Sequence, residues 1–226
     1  VSIVIPAYNE ADTVAKTITA ALAQQYADYE VIVVNNASTD ATRTVASAFP
    51  VTVVDEPILG LTQAREAGRK VAQGEIIANV DADCLPEPDW LSRGIRHFAD
   101  SSVIAVSGPY EYYDLSPFAK AFFLFTFQYF SRPFNTILQW SFIKRGGVIV
   151  GGNALIRAAT LTQSAGYDTN IVFYGEDTNT AKRISQHGRI VFDKHFIMKT
   201  SGRRFVREGF FRISYKYFMA FFTARK

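Results

Sequence analysis

The chain has 226 residues, 48% apolar and 20% charged, a balance that excludes a disordered segment and suits one ordinary folded domain. Its formal net charge of +3 conceals an asymmetry, because from Lys199 onward eight basic residues face one acid, Glu208, and the remainder is acidic overall. The single cysteine, Cys84, excludes an internal disulfide and fits a reducing compartment, and no apolar run reaches the roughly 18 residues that span a bilayer.

The chain opens on Val1 to Ile5 with no initiator Met or signal peptide, the expected look of an excised domain. That β-branched run, stopped by Pro6, predicts a buried strand. Val14, Ile18 and Leu22 fall at helical spacing within Glu10 to Gln25. Val31 to Val34 is a second buried strand, followed by the turn-rich Asn35-Asn36-Ala37-Ser38-Thr39-Asp40, a helix to about Phe49 and a third strand over Val51 to Val54. Gln63 to Gln73 is predicted helical and broken by Gly74, and Ile76 to Val80 runs as a strand into Asp81. Beyond residue 100 the pattern is less regular. Strands are expected over Val103 to Ser107, Val148 to Ile156 and Ile190 to Phe192, with Ile171 to Phe173 before a turn and a helix over Glu176 to Gln186 stopped by Gly188. Alternating strands and helices with short connections predict an α/β fold with a mostly parallel central sheet flanked by helices. Ligands of such sheets bind beyond the carboxyl ends of strands, where Pro6, Asn35 and Asp81 all fall.

Asp81-Ala82-Asp83 offers two carboxylates on a tight turn, able to aim oxygens at one hard cation, Mg²⁺ or Mn²⁺, and at the phosphate beside it. Taken alone the pair also reads as a solvated turn. His97, His187 and His195 have no metal-ligand spacing, and neither a zinc signature nor a G-x-x-x-x-G-K-[ST] loop occurs. Asn36-Ala37-Ser38 matches a glycosylation sequon of high chance frequency.

Six segments in order resemble motifs of the family 2 inverting glycosyltransferases, of GT-A fold. Val1 to Glu10 resembles their opening strand and loop, and Val33-Val34-Asn35-Asn36-Ala37-Ser38-Thr39-Asp40 their V-D-D-G-S-T-D segment. Gly60-Leu61 through Ala64-Arg65-Glu66-Ala67-Gly68 resembles G-L-x-x-A-R-N-x-G, and Asn79-Val80-Asp81-Ala82-Asp83, with Pro88 and Trp90-Leu91, their D-x-D motif. Gly151-Gly152-Asn153-Ala154 with Arg157, then Gly166-Tyr167-Asp168, is similar to their acceptor-side segment, and Gly175-Glu176-Asp177 before Lys182-Arg183 to their E-D motif. The set covers roughly residues 1 to 190.

The resemblance implies a catalytic domain over residues 1–198, with a nucleotide-binding half over 1–100 and an acceptor and sugar half over 101–198. It implies that Pro6, Ala7, Tyr8 and Glu10 line the nucleotide pocket and that Arg65 approaches the diphosphate. Asp83 becomes the main ligand of Mn²⁺ or Mg²⁺, Asp81 contacts ribose or metal, and Gly152 and Asn153 face the donor sugar. Asp177 is the candidate general base, with Glu176 beside it able to raise its pKa. Residue by residue, ordinary accounts compete: a loop aromatic for Tyr8, a solvated helix arginine for Arg65, a structural turn for the glycines and helix N-terminal charge for Asp177.

Two positions depart from the pattern. Asn35 replaces the aspartate that accepts the N3–H of uracil in uridine-nucleotide enzymes, and Glu66 replaces an asparagine, so both put donor identity in question. Residues 199–226 form a basic aromatic segment, with Phe211, Tyr215, Phe218 and Phe222 at helical spacing and Arg203 and Arg204 ahead of them. The segment is expected at a membrane surface, or packed on a neighbouring segment or transmembrane helix, and the resemblance implies that Ser201 to Arg204 approach the diphosphate. The dense aromatics from Phe122 to Phe134 read as core, acceptor groove or membrane face. Gln139-Trp140 lacks the Q-x-x-R-W spacing of processive synthases, which favours single-residue transfer. The expected partners are a nucleotide-diphosphate sugar and a lipid-linked or cell-envelope acceptor at the cytoplasmic face of a membrane, with no nucleic acid. A catalytically silent membrane-associated sugar-nucleotide-binding domain is the alternative. A sugar nucleotidylyltransferase fits less well, since Pro6 to Glu10 is not a glycine-rich basic loop.

Overall fold

The structure, a computed structural model, describes residues 1–118, 147–171 and 175–209. Every residue of β1 (Ser2–Ala7) is buried, as are all but the first of β2 (Glu30–Asn36) and all of β4 (Ile76–Val80). Burial without alternation requires cover on both faces of the sheet, the condition of parallel strands joined by helical crossovers. Together with β3 (Thr52–Glu56), β6 (Val103–Ser107), β8 (Asn153–Arg157) and β9 (Arg189–Phe192), these strands form a seven-stranded sheet of order β3-β2-β1-β4-β8-β6-β9. All neighbours are parallel except at β8, which runs antiparallel to β4 and β6. The pairing of Val80 with Asn153 joins the two expected halves in one sheet. A smaller sheet pairs β5 (Cys84–Leu85), β10 (Met198–Thr200) and β7 (Tyr110–Tyr112) beside the D-x-D turn.

Side-chain alternation divides the core. Ile3, Ile5, Val31 and Val33 pack with Val14 and Ile18 of α1 (Val14–Leu22), on the face that also takes Ala46 of α2 (Thr42–Ser47) and Trp90 of α4 (Trp90–Ile95). Val4, Ile32 and Val34 face α3 (Leu61–Val71), sharing a core with Leu161 of α5 (Ala158–Gln163) and Ile184 of α6 (Glu176–Ile184). A short α7 (Arg203–Glu208) follows β10, so the boundary expected after residue 198 falls within a strand.

The expected strands and helices recur with shifted ends. The first helix starts at Val14 rather than Glu10, after a turn in which the Thr13 and Val14 amides donate to the Glu10 carbonyl (3.0 and 2.8 Å) and the Glu10 amide donates to Thr42 Oγ1 (2.7 Å). The strand expected from Val148 begins at Asn153, since the Val150 amide bonds Ser107 Oγ (2.9 Å) and the Gly151 amide bonds Asp177 (3.0 Å). The aromatic stretch from Phe122 to Phe134, Gln139-Trp140, Phe173 and the tail from Phe211 lie outside the described residues. Among the described residues no helix is long and apolar enough to cross a membrane.

Helix α3 lies close on the sheet because Gly68 carries no side chain. A Cβ there would fall 2.4 Å from Val4 Cγ1 and 3.2 Å from Val34 Cγ2. Gly68→Ala is therefore expected to destabilise the fold by about 1–3 kcal/mol through overpacking, despite alanine's better helix propensity. An unchanged or raised thermal midpoint would contradict this packing.

Candidate active site

The crevice arises where strands part. The β1–β2 ladder continues to Ala7 opposite Asn35, whereas the β1–β4 ladder ends at Val4 opposite Asn79. Pro6, which cannot donate to a ladder, lies beyond that last β1–β4 pair. The two loops leaving β1 and β2 are laced together. Asn9 N donates to Ser38 Oγ (3.1 Å), Thr39 N to Asn9 Oδ1 (2.8 Å) and Ala11 N to Asp40 Oδ2 (3.2 Å). Pro6 and Ala7 form buried floor, and Tyr8 stands 45% exposed above it.

Arg65, delivered by α3, is 3% exposed and sits among three carboxylates. Its Nη2 meets Asp81 Oδ1 at 3.1 Å, while Nη1 meets Asp177 Oδ1 at 3.4 Å and Glu176 Oε1 at 3.6 Å. Burial opposes its charge, and Asp81, Asp177 and Glu176 outweigh that penalty, leaving its pKa raised. Asp81 also accepts from the Tyr110 hydroxyl at 3.0 Å. Glycines close the arrangement: a Cβ on Gly151 would lie 2.2 Å from Asp177 Oδ1, and one on Gly152 2.2 Å from Asp81 Oδ2.

Gly175, at φ 89°, turns the chain into α6 and sets Glu176 and Asp177 in its first turn. The two acids differ in access, with 11% of the Glu176 side chain exposed and 31% of that of Asp177. Burial and the neighbouring Asp177 charge push Glu176 up to about 9, and burial also raises Asp177, against the opposing pull of Arg65. Near neutrality Glu176 therefore holds a proton.

Asp83 belongs to a second group. Its carboxylate meets Arg203 Nη2 at 3.3 Å and accepts from Thr200 Oγ1 at 3.3 Å, and Arg203 also pairs with Glu10. Glu10 is thus tied to α7 and to the Thr13 hydroxyl. Burial, and then the nearby Asp81 charge, push Asp83 up to about 6. Among the described residues no group of three or more His, Cys, Asp or Glu side chains gathers as a metal cluster. Asp81 and Asp83 are what the chain offers, a donor pair suited to a hard cation that takes its other ligands from phosphate and water. A cation there would relieve the repulsion that raises Asp83.

Two residues have partners within the fold. Asn153 is fully buried, its Oδ1 accepting from Trp90 Nε1 (2.9 Å) and its Nδ2 donating to the Phe196 (2.8 Å) and Pro109 (3.3 Å) carbonyls. Its work is to join α4, β8 and the chain before β10. Glu66 grips Arg69 (2.7 and 2.8 Å) and accepts from the Tyr167 amide (3.0 Å), holding the Gly166–Tyr167 segment to α3. Tyr110 and Thr200 carried no motif and escaped sequence reasoning, whereas the basic run at Arg203 signalled an approach to this region.

A mostly parallel sheet with one reversed strand and an acidic turn after β4 defines the GT-A class of nucleotide-diphospho-sugar transferases. A mannosyltransferase of Pyrobaculum calidifontis in complex with GDP-Man and Mn²⁺ superposes with a TM-score of 0.67 at 26% identity, over 88% of this chain and 56% of that one. S. aureus TarS in complex with UDP-GlcNAc shares the fold at TM-score 0.64 and 16% identity, over 89% of this chain and 58% of that one. The family model for glycosyl transferase family 2 matches residues 2–163, and the chain belongs to that family. It is a glycosyltransferase domain. Glycosyltransferase AglE of Haloferax volcanii is 35% identical over 120 residues, and succinoglycan biosynthesis protein ExoO of Rhizobium meliloti 41% over 111. The matched stretches are 50% and 47% of this chain but only 40% and 32% of those proteins.

The Glu176 shift has a stability consequence with a definite sign. The unfolded carboxyl titrates near 4.5 and the folded one near 9, so within that window the folded state holds a proton that the unfolded state has lost. Stability from this group is full below the window and declines as pH rises through it. Glu176→Gln imitates the protonated form without titrating. It should melt like the unsubstituted protein in acid and several degrees higher at about pH 8. Equal melting at both pH values would contradict the protonated Glu176.

Proposed function

We propose that the chain transfers a sugar from a nucleotide-diphosphate donor to an acceptor hydroxyl with inversion at the anomeric carbon. The observation that supports this best is the meeting of Arg65, Asp81 and Asp177, from three separate segments, against glycines whose missing side chains let these charged groups come together. Tyr8, Pro6 and Ala7 border the nucleotide, and the backbone at Gly151 and Gly152 borders the sugar.

Asp81 and Asp83 would hold Mn²⁺ or Mg²⁺, which would supply positive charge against that growing on the departing diphosphate. Arg203, now bridging Asp83 and Glu10, is the nearby cation available to the phosphates once the donor enters. Asp177 is the base. One of its oxygens accepts from Arg65 and the other from the Gly151 amide, and a carboxylate has further lone pairs with which to accept a hydroxyl proton. Its raised pKa makes it a stronger base than a solvated aspartate. Buried Glu176 stays protonated beside it. As the proton moves to Asp177, the acceptor oxygen bonds the anomeric carbon and the bond to the diphosphate oxygen breaks on the opposite side. A single in-line displacement of this kind inverts the centre.

The acceptor we favour is lipid-linked or part of the cell envelope, handled at the cytoplasmic face of a membrane. Support comes from the basic, aromatic composition beyond Lys199 and from the succinoglycan biosynthesis for which ExoO is named.

Transfer from a panel of UDP-, GDP- and dTDP-linked sugars with Mn²⁺, followed by release of nucleoside diphosphate, tests the reading. Asp177→Asn should lower turnover by at least about 100-fold while donor affinity stays within about threefold. Unchanged turnover in that variant would remove Asp177 from the base role.

A further inference from the structure

Resting on the cation reading above, we propose that Tyr110 and Thr200 are positioning residues that hold the Asp81 and Asp83 carboxylates in the orientation a divalent cation requires. Each acts through the carboxylate it meets. Both belong to the smaller sheet, whose strands β7 and β10 run side by side with Met198 opposite Tyr110 and Thr200 opposite Tyr112. On the other side of β10, Thr200 pairs with Cys84, the residue that follows Asp83. The sheet thereby sets two hydroxyls, from distant parts of the chain, against one turn.

Backbone and side chains of the turn are both held. The Cys84 amide donates to the Asp81 carbonyl at 2.9 Å, and Thr17 Oγ1 of α1 donates to the Ala82 carbonyl at 2.8 Å. One Asp81 oxygen meets Arg65 Nη2 at 3.1 Å and the other accepts from the Tyr110 hydroxyl at 3.0 Å, so the carboxylate cannot rotate without breaking a bond. Gly152 admits this contact, because a Cβ there would collide with both Asp81 and the Tyr110 hydroxyl. Asp83 Oδ1 accepts from Thr200 Oγ1 at 3.3 Å, independently of Arg203, which meets Oδ2. Exposure separates the two kinds of residue. Asp81 has 34% of its side chain exposed and Asp83 19%, whereas Thr200 is 5% exposed and Arg65 3%. Each carboxylate oxygen has lone pairs to spare, so the acids can take a cation while the groups that aim them stay beneath. A hard cation rewards such pre-setting, since Mg²⁺ tolerates little departure from octahedral geometry and hydrogen bonds behind a ligand fix its orientation. Core packing alone would satisfy these hydroxyls with any carbonyl, yet each ends on a different carboxylate of the same turn.

Calorimetric titration with UDP and with GDP, in Mn²⁺ and again in EDTA, reads the cation's contribution as the ratio of the two affinities. In the unsubstituted protein, whichever diphosphate binds more tightly should gain from Mn²⁺. Tyr110→Phe and Thr200→Val should each cut that gain about tenfold, while affinity in EDTA stays within about threefold of the original. Thr200→Ser retains the hydroxyl and should retain the gain. General damage to the fold would lower binding in both media, and matching thermal midpoints check for it. If Tyr110→Phe folds poorly, the two Thr200 variants decide. A gain within about threefold of the original, in Thr200→Val or in folded Tyr110→Phe, overturns the proposal. So does a gain in Thr200→Ser as small as that in Thr200→Val. Absence of any Mn²⁺ gain in the unsubstituted protein overturns the cation reading itself, a separate result.

Discussion

A guanidinium withdrawn from water beneath a sheet's edge must be met by carboxylates, and Arg65 is met by three. This one requirement organises the crevice. Asp81 arrives on the turn after β4 and Asp177 on the first turn of α6, and without the arginine their charges would repel across a confined space. The pair geometry contributes more to positioning than to net stability, because desolvation of the partners offsets much of the attraction.

The same cluster explains the small residues around it. A side chain at Gly151 would collide with Asp177 and Arg65, and one at Gly152 with Asp81 and Tyr110, so the two glycines let these groups close against the chain. Gly68 does similar service one layer away, bringing α3 near enough to Val4 for Arg65 to reach the strand ends. The β10–α7 segment completes the opposite wall, where Thr200 and Arg203 meet Asp83.

Much of the N-terminal framework was legible because β1, β2 and β4 are dominated by apolar residues, a pattern dictated by cover on both faces. The motif neighbours of Arg65, Asp81, Glu176 and Asp177 likewise mark residues that the fold brings together. Legibility failed where a residue's role is set by distant partners. Asn153 beside two glycines reads as a ligand contact, and only the tertiary approach of Trp90 and Phe196 shows its amide committed to the core. Glu66 looked like altered donor recognition, yet its partners are Arg69 and the Tyr167 amide. Strands β5, β7 and β10 are two or three residues long, too short for any hydrophobic period to register, so Tyr110 and Thr200 went unseen with them.

The central claim is that the carboxylates held by Arg65 form one wall of a donor site whose cation lies at the D-x-D turn. Anomalous diffraction from crystals grown with Mn²⁺ and a nucleoside diphosphate addresses it directly. The account requires a manganese peak at Asp83 within reach of Asp81, with the diphosphate between that peak and the Arg65–Asp177 wall. A nucleotide bound elsewhere, or a peak remote from both aspartates, would contradict it.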